Sequence, residues 1–127
     1  MSLCILAAGK TVTLSVAAFT LSWTHSVERS RWQEDWKVMP SGLQVVEARI
    51  KGSGAGMEPP VGAVLRDGWW VYAPSVGPQR RVVLAASGAT GEGWTLCSVQ
   101  GCRELGAEAG GTIALEACDP AGVSQPR

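Results

Sequence analysis

Residues 19–57 read FTLSWTHSVERSRWQEDWKVMPSGLQVVEARIKGSGAGM, and the fold is decided there. Phe19, Leu21, Trp23, His25 and Val27 alternate with Thr20, Ser22, Thr24, Ser26 and Glu28, the two-residue period of a strand with one buried face. Trp32, Glu34, Trp36 and Val38 alternate in the same way with Arg31, Gln33, Asp35 and Lys37. A third run, Leu43 to Ile50, follows Met39-Pro40-Ser41-Gly42, where proline and then glycine suit a tight turn closed by a glycine bulge. The three runs predict an antiparallel meander. Two polar residues interrupt its apolar face: His25, the only histidine in the chain, and Glu34.

Face matching narrows the registers. A loop of Glu28, Arg29, Ser30 and Arg31 sets Val27 opposite Trp32, His25 opposite Glu34, Trp23 opposite Trp36 and Leu21 opposite Val38. A shift of one residue would turn Arg31, Gln33 and Asp35 onto the apolar face and is excluded by the cost of burying them, whereas shifts of two stay open. In the next hairpin the turn chemistry places Trp36 beside Val46, Glu34 beside Ala48 and Trp32 beside Ile50, with Glu47 and Arg49 on the other face. A register tighter by one residue would pair Glu34 with Glu47.

Outward from this meander the chain continues in short strands. Residues 3–8 and 11–16 flank Gly9-Lys10 as a hairpin, and Asp67-Gly68 between Gly62-Ala63-Val64-Leu65-Arg66 and Trp69-Trp70-Val71-Tyr72 is the strongest hairpin signal. Runs at 81–86, 94–97, 102–105 and 112–118 complete the set, and residues 119–127 read as a flexible tail. The expected fold is all-β: one compact antiparallel sandwich or partly closed barrel of about ten short strands, spanning residues 1–118. The motif AAGKT ends like a phosphate loop, but Cys4 occupies the place of its first glycine, so that reading fails.

Composition excludes several functions. The 127 residues suffice for one domain, and 11 basic against 11 acidic residues, scattered along the chain, give no nucleic-acid or anionic-membrane surface. No apolar run is long enough to span a membrane as a helix. No export signal is read at the N-terminus, where Gly9 and Lys10 interrupt a short apolar run that has no basic residues before it. Cys97 and Cys102 flank a candidate turn and can bridge across a hairpin, while Cys4 and Cys118 lie in the first and last strands and can join them if these pair. Free thiols are the alternative. Spacing argues against zinc, since C-x-x-C and a nearby histidine are both missing.

The candidate site is a polar pair on the tryptophan face. An inward carboxylate between tryptophans needs a partner or a proton, and His25 is the expected partner of Glu34. Trp23, Trp32 and Trp36 would wall a small-ligand pocket, with the glycine loop Gly52-Ser53-Gly54-Ala55-Gly56 closing over it. The plain alternative is a buried polar pair that fixes the sheet. An enzyme, a small hydrolase or isomerase using His25 and Glu34, is the competing class, but Ser26 points to the opposite face and Ser53 lies in no nucleophile elbow. Metal binding through His25, Glu28 and Glu34 is weaker still, because Glu28 leaves the inner face. No cofactor is implied.

At His25-Ser26-Val27-Glu28, then Glu34, then Gly52-Ser53-Gly54-Ala55-Gly56-Met57, the chain resembles an uncharacterised bacterial domain-of-unknown-function family. Members are often encoded beside TAXI-type TRAP transporters, so the resemblance implies a non-enzymatic accessory or small-ligand-binding role in uptake of a small organic solute such as an organic acid. The transporter subunits or their solute-binding protein would be the partners. A purely structural interaction module is the remaining alternative. The resemblance carries no catalytic residue. Its compartment is divided, since the family and the four cysteines point to the periplasm and the N-terminus as written to the cytoplasm.

Overall fold

The computed structural model describes residues 1–25, 30–51, 61–85, 93–106 and 111–119. Within these lie eleven strands and no helix: β1 (Ser2–Ala7), β2 (Lys10–Leu14), β3 (Ala18–His25), β4 (Ser30–Met39), β5 (Gly42–Lys51), β6 (Val64–Arg66), β7 (Trp69–Tyr72), β8 (Arg81–Ala85), β9 (Trp94–Ser98), β10 (Gly101–Leu105) and β11 (Thr112–Cys118). They form two antiparallel sheets, one of four strands in the order β2-β1-β11-β8 and one of seven in the order β10-β9-β3-β4-β5-β7-β6. The all-β expectation holds, in its sandwich form. Neither sheet closes into a barrel.

The core lies where the sheets face each other. Leu3, Ile5, Ile113 and Leu115 from the smaller sheet meet Phe19, Leu21, Trp36, Leu43, Val45 and Leu96 from the larger, all of them buried. Each set follows the period of its strand, so the hydrophobic effect selects the faces. Four strands span about 14 Å and seven about 29 Å at the usual inter-strand spacing, so the smaller sheet cannot cover the larger.

Turn chemistry explains most connections. The first hairpin turns at Ala8-Gly9 rather than Gly9-Lys10, with φ of 52° and 75°, and Asp67-Gly68 turns as expected with φ of 52° and 85°. Positive φ at both central residues matches the twist of the flanking strands. Between β4 and β5 both registers weighed from the sequence occur. Trp32 faces Ile50, Glu34 faces Ala48 and Asp35 faces Glu47, as expected; beyond a bulge Trp36 faces Val45 and Val38 faces Leu43, which is the tighter register. Val46 is the extra residue, and it is exposed. Without it, the parity that buries Leu43 and Val45 would carry Glu47 and Arg49 inward; with it, Ala48 and Ile50 take the inner face.

A backbone bridge then helps direct the chain from the large sheet to the small one. Leu43 N–H donates to Gln79 O at 2.7 Å and Gln79 N–H donates back to Leu43 O at 2.8 Å, fixing the segment that leads into β8. Gly42 permits it, because a Cβ there would lie 2.5 Å from Gln79 O, and its φ is +132°. The expected flexible tail, from residue 120 onward, lies outside the described residues, as do Glu28 and the glycine loop with Gly52, Ser53, Gly54 and Gly56.

Both cysteine pairs are disulfides. Cys97 and Cys102 are directly opposite across β9 and β10, with Cα atoms 4.0 Å apart. Cys4 and Cys118 join β1 to β11, with Cα atoms 5.9 Å apart, so the first and last strands do pair.

Candidate functional site

The β3–β4 register differs from the expected one by four residues. Trp23 faces Trp32, Phe19 faces Trp36, Leu21 faces Glu34, and His25 faces Ser30. His25 and Glu34 are therefore not cross-strand neighbours; their backbones are about 13 Å apart along the strands. The face assignment survives, because an even shift keeps every side chain on its side. Aromatic pairing accounts for the choice: Trp23 stacks on Trp32 with ring centroids 5.9 Å apart and Phe19 on Trp36 at 6.1 Å, two aromatic pairs where the expected register offers one, Trp23 with Trp36.

Glu34 keeps its place on the inner face without the histidine. It is half-buried and accepts one hydrogen bond, from Trp36 Nε1 to Oε1 at 3.2 Å. Burial raises its pKa above the ordinary 4.5, opposed only by that indole hydrogen bond. Trp32, two residues the other way, turns its own indole N–H to the buried Ser30 hydroxyl at 3.1 Å and leaves its ring beside the carboxylate's row.

The neighbouring strands extend this surface. Register across β3, β4, β5 and β7 places Leu21, Glu34, Ala48 and Tyr72 in one row, and Trp23, Trp32, Ile50 and Trp70 in the next. Ala48, fully buried, is the small residue between Glu34 and Tyr72. The two polar groups sense each other across it: the Tyr72 pKa is raised first by burial and then by the Glu34 charge. The main core includes Trp36 and has Trp23 at its margin, whereas Trp32, Trp70 and Tyr72 are half-buried and lie outside it. The result is a carboxylate set in an aromatic surface. Tyr72 and Trp70 were not singled out from the sequence; their alternation after Asp67-Gly68 was the available signal, but nothing there says that β7 pairs with β5.

The opposite face of the same strands holds a different polar group, also missed. Arg49 grips Asp35 with two nitrogens, at 2.8 and 2.9 Å, donates from Nε to Gln33 at 3.0 Å and also contacts Glu47, while the Thr20 hydroxyl donates to Asp35 at 2.8 Å. These bonds hold the Asp35 carboxyl below its ordinary range, the Arg49 hydrogen bonds contributing most. Every acid in it is matched to a donor, so it ties β3, β4 and β5 together rather than offering a vacant group. Glu47 thus lies outside, as the sequence indicated.

At the small sheet, a cavity of about 380 Å³ is lined by Leu6, Lys10, Thr11, Arg81 and Ala114, among others. Arg81 is held there by Glu116, a buried carboxylate facing outward from β11. Among the described residues no group of three metal-ligating side chains comes together, and no helix is long and apolar enough to cross a membrane.

No curated protein and no solved structure matches the chain. A family model does match, over residues 19–105, which runs from the start of the β3 run through the end of β10 and takes in Glu34, Trp32, Trp36, Trp70 and Tyr72. The chain therefore belongs to the domain of unknown function family DUF1850.

Proposed function

We propose that this chain is a non-enzymatic, small-ligand-binding protein, accessory to a TAXI/TRAP-type solute uptake system, whose ligand seats on the aromatic face around Glu34. One observation carries the reading: a half-buried carboxylate that meets a single indole donor, on a tryptophan and tyrosine surface lying beyond the main core. Such a group is costly where a structural role alone would favour an apolar residue or a matched pair. The transporter enters through the family resemblance at His25 to Glu28 and at the glycine loop. Two disulfides favour an oxidising compartment, where a periplasmic uptake system operates. A general-base pair of His25 and Glu34 loses its support with the observed register.

The test is a ligand-induced thermal shift on the full chain, with small organic acids, amines and neutral solutes, on wild type and on Glu34→Gln and Trp32→Leu. The reading expects at least one solute to raise the melting temperature of the wild type and to lose that effect in both variants. No shift of the wild type with any solute would leave the face without a ligand and overturn it.

A further inference from the structure

We infer that the Glu34 face selects a small molecule presenting a cationic nitrogen, an ammonium or quaternary ammonium group; this deepens the ligand-binding reading and rests on it. Three observations converge. First, Glu34 has no cationic partner among the described residues: Arg31, Lys37, Arg49 and Lys51 alternate onto the opposite face, and Arg103, the one cation in its own row, stands three strands away on β10. Arg49, the nearest by sequence of pairing, is already committed to Asp35 and Glu47. Second, beyond its two aliphatic cross-strand neighbours, Leu21 and Ala48, Glu34 is flanked by electron-rich rings, with Trp32 and Trp36 on either side of it on β4, Trp23 stacked on Trp32, and Tyr72 across Ala48. Aromatic faces attract a cation through their quadrupoles, most strongly when it is partly desolvated. Third, two of these rings have turned their indole N–H groups to Ser30 and Glu34, so their positive edges are already occupied.

Charge complementarity then decides among ligands. An organic anion would meet a carboxylate and ring faces, both repulsive to it, and the positive groups that suit an anion, Lys10 and Arg81, border a separate cavity on the other sheet. A neutral solute would gain contact area but leave the half-buried carboxylate unmatched. A cation matches the carboxylate and the rings together. The raised pKa of Glu34 agrees with this, since burial pushes it up and only the Trp36 indole hydrogen bond opposes that.

Three probes of nearly one shape and different charge separate the cases: tetramethylammonium, tert-butanol and pivalate, each titrated into the full chain at pH 7 and constant ionic strength. The readouts are the Trp36 and Trp32 indole N–H resonances and the fitted affinity. Tetramethylammonium is expected to move the Trp36 resonance saturably and to bind at least about tenfold more weakly to Glu34→Gln, a fold that removes only charge and keeps an acceptor for Trp36. Tyr72→Phe, which keeps the ring, is expected to retain binding. If tert-butanol or pivalate binds as tightly as tetramethylammonium at these resonances, the cation inference fails while the ligand-binding reading stands. Pivalate binding that persists in Glu34→Gln and disappears in Arg81→Ala, with no response to tetramethylammonium, overturns it in favour of the cavity on the small sheet. If no probe and none of the solutes of the thermal-shift panel binds, both readings fall.

Discussion

Trp36 and Glu34, two residues apart on β4, are joined by an indole N–H donated to the carboxylate at 3.2 Å, and among the described residues this is the only hydrogen bond to that half-buried acid. Trp36 belongs to the main core and stacks on Phe19, so the acid is anchored to a rigid ring.

Removing the charge should relieve the protein. Glu34 has a folded pKa above its ordinary 4.5, so the native state binds its proton more tightly than the unfolded chain. Its penalty is absent below about that value and grows as pH rises through the folded pKa. Glu34→Gln is therefore expected to be more stable than wild type at pH 7, by on the order of 0.5 kcal/mol, with the difference vanishing below pH ~4.5. Urea unfolding at several pH values measures it; a variant that is less stable at pH 7 would mean that the carboxylate is matched in the native state.

Asp35 should behave with the opposite sign. Arg49 holds its pKa below the ordinary 3.8, so its contribution is present above that value and is lost as pH falls through the lower, folded one. Arg49→Met is expected to cost about 1 kcal/mol at pH 7 for this partly exposed network, and to cost progressively less in acid. The same unfolding series reads it. A cost that does not shrink in acid would point to lost packing of the arginine stem instead.

Ala48 should tolerate little growth. It is fully buried between Glu34 and Tyr72, so Ala48→Leu is expected to cost about 1–3 kcal/mol by overpacking and to perturb the Trp36 indole resonance. If Leu is accommodated without loss and without a spectral change, the space between the carboxylate and the phenol is wider than the register implies.

The two disulfides should be unequal. Cys4–Cys118 closes a sequence separation of 114 residues and Cys97–Cys102 one of 5. Chain-entropy scaling gives nearly 5 kcal/mol for the first and about 2 for the second. Alanine pairs at each position, compared by denaturant midpoint, test the order; equal losses would show that the unfolded chain is not the main source of either effect.

Much of this was legible, and where it failed the reason is physical. Alternation in 19–50 specified three strands, their inner faces and the outward position of Glu47, because burying Arg31, Gln33 or Asp35 is prohibitive. Alternation cannot separate registers that differ by an even number of residues, so His25 was matched with Glu34 when stacking of Trp23 on Trp32 chooses Ser30. The bulge at Val46 was foreshadowed by two competing β4–β5 registers, each correct for half the hairpin. Tyr72 reaches the site only through long-range pairing of β7 with β5, which no local pattern encodes.

The most direct measurement is a ¹³C titration of the Glu34 carboxyl, followed together with the Trp36 indole N–H. The account predicts a midpoint above 4.5 and a Trp36 resonance that moves with the same midpoint, since one bond joins the two groups. A Glu34 midpoint at or below 4.5, or a Trp36 resonance indifferent to it, would contradict a half-buried carboxylate waiting for a positive partner.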